Sequence, residues 1–412
     1  MKKLIILTIF SLIQLPLFAQ KLIEKYKTGT VKLVADKEYA QSNDWNKIFR
    51  SYYDTLYNTP MAHRKSIVML PDGSILVNHA YRNYHTKFSP KGVFQEEMQI
   101  EKGKQKAIKG VINGNTLFTG LDNMGNMTCS DLEGHFKKSL LLDYMAKNII
   151  ALPNRKFAVV GWAIHTTQFR TFIAIVDYDT NKQKIIWDKY DDQVLKPCSF
   201  QYKIKSTNGS VNIFSIPFQN DVKIGLAPLI TTMDNKLIVA FPNTGKINTY
   251  NLDGKLLSTQ QVTWERETLS VAEQKKAQED AIHYFKKFAA KSNNIIKIDK
   301  SELNRVLNKM EEDIKYIRTA LKKPYFTNII KDSDGNVLIF EIPKKKGQNL
   351  FHVWIYNKNG EMSTQCSFVC EDYNLEINKD KLIFKDGYLY GLQTLKNAKG
   401  NPLRLVRFKL EN

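Results

Sequence analysis

A strand, a tight turn and a second strand recur along this chain, and that repetition constrains the fold more than any other feature. The units are SIVMLPDGSILVNHA (66–80), GVINGNTLFTGL (110–121), NIIALPNRKFAVVGWAI (148–164), FQYKIKSTNGSVNIFSI (200–216), LITTMDNKLIVAF (229–241), NIIKDSDGNVLIFEI (328–342) and LIFKDGYLYGLQTL (382–395). In each, Gly, Asn or Asp supplies the turn between β-branched or aromatic runs. Most are followed by a second hairpin, as in KFSPKGVFQEEMQI, TCSDLEGHFKKSLLL, INTYNLDGKLLSTQQV and VWIYNKNGEMSTQCSFV.

Hairpin plus hairpin makes a four-stranded antiparallel unit of about 40 residues, the size of a propeller blade. The expected fold is all-β, a single β-propeller. LPDGSILV with KFSPKG, MDNKLIV with YNLDGK, and DSDGNVLIF with YNKNGE carry a looser pattern. On them the chain resembles secreted bacterial six- or seven-bladed propellers with NHL-like or TolB-like blades, over most of residues 60–412. The resemblance implies an architecture and no single activity, since such propellers include enzymes, binding proteins and scaffolds. Motif count favours seven blades, and six is the close alternative: the fourth motif lacks a clear second hairpin. The last unit is one strand short, and TVKLVAD (30–36) could complete it and close the ring.

One stretch breaks the β pattern. Residues 269–321 contain no Pro and no Gly and are rich in Ala, Glu, Lys and Gln. Ser270 with Glu273 forms a capping-box signature. Ala277, Ala281, Phe285 and Phe288 give one apolar stripe; Leu303, Leu307, Met310, Ile314, Ile317 and Leu321 give another. Two helices forming a hairpin inserted between blades are expected. They pack on each other and on the propeller, or else offer a surface to a partner. The expected division is a signal peptide at 1–19, propeller at 20–262, helical hairpin at 263–323, and propeller with ring closure at 324–412.

Met1 to Gln20 has two lysines, an apolar run interrupted by Ser11, Gln14 and Pro16, and Ala19 at its end. That is a secretory pattern, shorter than the roughly 20 residues of a spanning helix. Cleavage after Ala19 and a periplasmic or extracellular address are expected, with no transmembrane segment in the mature chain. Four cysteines are too few for a disulfide scaffold. Cys366 and Cys370 sit about 13 Å apart if CSFVC is a strand, too far to bond unless the chain bends. Most of the four are therefore expected to be buried thiols, with one disulfide possible. Lys and Arg total 61 against 41 Asp and Glu. That balance favours anionic partners, while export and the scatter of the basic residues argue against nucleic acid. KGKQKAIK (102–109) and PKKKG (343–347) read as solvated charges.

Motifs for phosphate loops, dinucleotides, zinc proteases, nucleophile elbows and calcium loops are lacking, so no catalytic residue, metal or cofactor is assigned. Segments after the second strand of each blade emerge on one face of the ring. There the first blade offers His79, Tyr81, Arg82, Tyr84 and His85, and the third offers Trp162, His165, Gln168 and Arg170. Asp122, Asn123, Glu341 and Lys344 come from other blades. Aromatic rings beside Arg and His suit a sugar, a peptide or an anion; the plainer reading is that they fill gaps between blades. The expected function is non-catalytic binding of a glycan, peptide or protein ligand, anionic by charge, at the axial mouth. The alternative is a propeller lyase or hydrolase acting on an acidic polysaccharide or peptide.

Overall fold

Turn chemistry sets the sheets. Gly73, Gly254, Gly335 and Gly360 all adopt left-handed φ between 81° and 88°, where a Cβ would cost energy. At two glycine-free turns the pairs Asn154–Arg155 and Asp234–Asn235 take φ between 42° and 57°, the geometry that matches strand twist. The second hairpins share a further device. Asn251 Oδ1 accepts from the N–H groups of Asp253 and Lys255 at 3.1 and 2.8 Å. Asn357 does the same for Glu361 at 3.0 Å, and Asp131 for His135 at 2.8 Å. The polar residue opening each of these turns is therefore a turn cap.

The structure is a computed structural model describing residues 22–49, 53–54, 59–60, 65–79, 84–99, 109–115, 117–121, 126–142, 144–165, 168–191, 199–205, 211–217, 227–292, 300–342 and 349–412. Four-stranded antiparallel sheets form at 65–99, 109–140, 145–191, 229–261 and 328–369. A sixth uses Leu382–Lys385, Tyr388–Leu395 and Leu403–Glu411, and Thr30–Ala35 completes it, antiparallel, with Lys32 opposite Glu411 and Ala35 opposite Phe408. The first strands of successive sheets touch in order, and the sixth touches the first. An apolar cluster fills each junction, for example Phe118 against Val68 and Leu76, or Val239 against Ile173. This is the arrangement of a β-propeller. The strand Thr30–Ala35 also pairs in parallel with Met362–Val369, so the last two sheets share one hydrogen-bonded ladder. The preceding helix Leu22–Lys27 seats there: Tyr26 is fully buried and donates to Asp332 Oδ2 at 3.0 Å. Asp332 also takes the Asn336 N–H at 2.8 Å, so DSDGN is a packed turn.

Seven motifs do not yield seven four-stranded sheets among the described residues. The fourth forms only the pair Ser199–Lys205 and Val211–Pro217. That pair touches the two helices, while the third four-stranded sheet touches the fourth directly. The helices run Val271–Ser292 and Lys300–Lys315. The capping box forms, with Ser270 N donating to Glu273 Oε2 at 2.8 Å and Glu273 N to Ser270 Oγ at 3.2 Å. Ala277, Ala281 and Phe285 are buried; the side chain of Phe288 lies outside the described residues. On the second helix Val306 and Met310 are the buried residues, and Leu303, Leu307 and Ile314 are half-buried. The helix ends before Ile317, and Leu321 lies in a two-residue ribbon. Two glutamines cross the seam: Gln278 Nε2 donates to Met310 O at 3.0 Å and Gln274 Nε2 to Thr319 O at 2.9 Å. Polar ties of this kind fix register where aliphatic packing alone is permissive.

The helices leave the propeller through that narrow neck, Thr268–Leu269 paired with Leu321–Lys322 and clamped by Arg266, whose guanidinium donates to the carbonyls of Lys322 and Lys323. Replacing residues 270–320 with a short loop is therefore expected to keep a cooperative β-sheet melt, because the closed ribbon preserves the loop ends. The hairpin 199–217, having lost its neighbour, should become the first site of proteolytic cutting. Loss of the cooperative melt would show that the helices belong to the main core.

Candidate functional site

The first strand of each sheet lies nearest the ring axis, and all six contribute to one cavity of about 280 Å³. Its walls are aliphatic, including Ile67, Val111, Ile150, Ile230, Ile330 and Ile383. β-branched residues belong there because inner strands are packed on both faces. Three charged side chains break the apolar lining at the end where the first strands enter: Lys109, Lys379 and Asp380.

Lys109 opens the first strand of the second sheet, and its Nζ lies 2.6 Å from Asp380 Oδ2. Asp380 sits just before the sixth sheet and is tied down by its backbone: its N–H donates to Asn378 Oδ1 at 2.9 Å, and its carbonyl accepts from Ile67 at 2.8 Å. Burial opposes its ionisation, but the Lys109 and Lys379 ammoniums outweigh that and hold the carboxyl below its ordinary range. Lys379 Nζ donates to the Ile230 carbonyl at 3.1 Å. Burial, aided by the Lys109 charge and opposed by Asp380, pulls its affinity for a proton down to about 7. Lys147 stands exposed at the rim, its ammonium 5.2 Å from the Trp162 ring centroid. Partial desolvation and the Lys109 charge both lower its proton affinity as well. With three lysines around one carboxylate, the mouth is net positive.

The residues singled out in the sequence fall in several places. Tyr81, Arg82, Asp122, Asn123 and Lys344, like the leader and Cys198, lie outside the described residues, as do the side chains of His165 and Gln168. His79 and His85 are buried, at 3% and 2% exposure. His79 Nε2 is 2.7 Å from Thr86 Oγ1, and its ring is 4.9 Å from that of Tyr84. His85 meets Phe118 of the next sheet edge-on at 5.2 Å, and burial lowers it to about 4, so it is neutral at ordinary pH. Arg170 holds Asp188 through Nε and Nη2 at 3.0 and 2.7 Å. Trp162 is half-buried beside Lys147. Glu341 accepts from the Trp354 indole at 2.6 Å.

Lys109, Lys147, Lys379 and Asp380 were missed by sequence reasoning. Lys109 in particular reads as a solvated edge charge, whereas its side chain is 29% exposed and paired across the axis. The available signal was position: Lys109 opens a first strand, Lys147 lies in the opening half of another, and Lys379 and Asp380 stand just before a third. Asp131, Glu133 and His135 come close enough to hold a cation. Asp131 is already engaged by Lys137 Nζ at 2.9 Å and His135 Nδ1 at 3.0 Å. Cys129, Cys366 and Cys370 are buried free thiols, all pushed up by burial.

No protein-family model matches the chain, and no curated protein is similar to it in sequence. Solved structures of similar shape include a member of the DUF4221 family from Bacteroides vulgatus, 11% identical, with 93% of this chain and 99% of that one covered at a TM-score of 0.46. A putative exported protein from Bacteroides fragilis is 9% identical over 84% and 90%, at 0.44. Virginiamycin B lyase from Staphylococcus aureus is 10% identical over 85% and 96%, at 0.38.

Proposed function

We propose that the chain is an exported six-bladed propeller that binds, without transforming it, the anionic end group of a glycan or peptide at the cationic mouth of its axial cavity. The observation that supports this reading is that Lys109 and Lys379 line one aliphatic cavity, with Lys147, itself over the Trp162 ring, close enough for its charge to interact with that of Lys109. Ammonium groups attract a carboxylate or sulfate, and a dry wall strengthens each contact because water screens it less. An indole beside them offers a flat face to a sugar ring. The guanidinium role expected of Arg170 passes to these lysines, since Asp188 already occupies that side chain.

Titration calorimetry with glucuronate and with inorganic phosphate tests the reading. The double variant K109A/K147A is expected to weaken binding by about 2–4 kcal/mol, the scale of losing two charge-assisted contacts. Affinity for the parent protein should fall as salt rises. Unchanged affinity in the double variant would place the site elsewhere on the ring. Steady consumption of an acidic oligosaccharide or peptide by the parent protein would favour the lyase or hydrolase alternative.

A further inference from the structure

We propose that Lys379 is a nucleophilic amine that captures the carbonyl carbon of a small anionic aldehyde or 2-oxo acid as an imine inside the axial cavity. The preference for an anion rests on the reading above; the nucleophile rests on placement. Lys379 lines the axial cavity. Its Nζ is held at 3.1 Å by a neutral acceptor, the Ile230 carbonyl. The adjacent carboxylate, Asp380, is engaged at 2.6 Å by Lys109. A lysine meant only as an ion-pair partner would claim that carboxylate for itself.

The other charged groups around the cavity do not restore a counter-ion. Lys147 adds positive charge at the rim, Lys381 on the same segment is bound to Glu376, and Lys331 from the fifth sheet donates to Thr232 Oγ1 at 3.3 Å. Burial, opposed by the Asp380 charge and aided by that of Lys109, brings Lys379 to about 7. At neutral pH roughly half of the Lys379 amines then carry a free lone pair, against about one in a few thousand for an ordinary lysine.

The step balances without a redox partner. The neutral Nζ attacks the carbonyl carbon, and the π pair moves to oxygen, which takes a proton from the Lys109 ammonium. Nitrogen passes a proton to the Lys109 amine, which gives it to the carbinolamine hydroxyl. Water leaves as the nitrogen lone pair forms the C=N bond, and the second nitrogen proton returns to Lys109. Amine plus carbonyl becomes imine plus water. The carboxylate of the captured molecule is left beside Lys109 and Lys147.

The test treats the whole protein at pH 7 with glyoxylate and cyanoborohydride, which reduces any imine to a stable carboxymethyl-lysine, and maps the modified peptides. Lys379 is expected to be modified more than tenfold faster than the average of the other lysines, and inorganic phosphate should slow it. K379R should lose that adduct while keeping its melting transition. Acetaldehyde separates the two readings: modification of Lys379 as fast as by glyoxylate would keep the imine and overturn the anion preference. Glyoxylate binding that calorimetry detects, with Lys379 modified no faster than the other lysines, would overturn the imine and leave the anion site standing.

Discussion

Replacing Val31 with Asp is expected to destabilise the protein by more than about 4 kcal/mol, among the largest effects a single substitution produces. Val31 is fully buried, in a cluster with Leu22, Tyr26, Phe368 and Phe408. Its strand is hydrogen-bonded on both sides, to Leu403–Glu411 and to Met362–Val369. An aspartate there would lie among apolar side chains and must either stay protonated or pull the strand out. Pulling it out opens the ring between the last two sheets. Lys32→Asp is the control: residue 32 is exposed, so an aspartate there should stay within about 0.5 kcal/mol. Denaturant unfolding of both variants measures the difference. Equal stability of the two would mean that this strand does not close the ring.

The second large effect runs the other way. Lys379→Met is expected to stabilise the protein by about 1–3 kcal/mol at pH 7. The unfolded chain holds a proton on this lysine up to about pH 10.4, whereas the folded protein gives it up near 7. Between those values the unfolded state binds more protons, so the cost that Lys379 imposes is full below about pH 7 and fades as pH rises toward 10. The full linkage would be about 4 kcal/mol, and the lost hydrogen bond to Ile230 offsets part of the gain. Denaturant midpoints at pH 6, 8 and 10 give the profile. A stability difference that did not shrink with rising pH would show that Lys379 is an ordinary charged lysine. A residue kept at a cost to folding is the pattern expected of a functional group.

Much of the architecture was legible because blade chemistry is local. A D-G or N-G turn between apolar runs specifies a hairpin wherever it falls, and TVKLVAD could be read as the closing strand from its alternation alone. The blade count was not legible for the same reason. The motif at 200–216 has the hairpin signature and does form a hairpin; whether a second hairpin follows is a question of packing. The helical seam was overextended by two positions, because Ile317 and Leu321 keep the spacing after the backbone has left the helix. The site was harder still. Lys109, Lys147 and Asp380 belong to three different sheets, and nothing local relates them. His79 and His85 instead follow the plainer reading of their sequence, buried rings that fill space within and between sheets.

The shared closing strand has a consequence for the order in which the molecule can come into being. Arg407 lies 371 positions beyond the Asp36 it grips, with Nη2 at 2.6 Å from the carboxylate. During synthesis at roughly 5–20 residues per second, the strand at 30–35 must wait on the order of half a minute for its partners to emerge. Throughout that interval it is an unpaired edge of alternating apolar residues, the kind of surface that recruits a neighbouring chain. Lys32, exposed in the finished ring, sits in the middle of that edge, and a central lysine is how proteins discourage such pairing. The same position that tolerates a charge in the native state thus guards the nascent chain while its ring is still open.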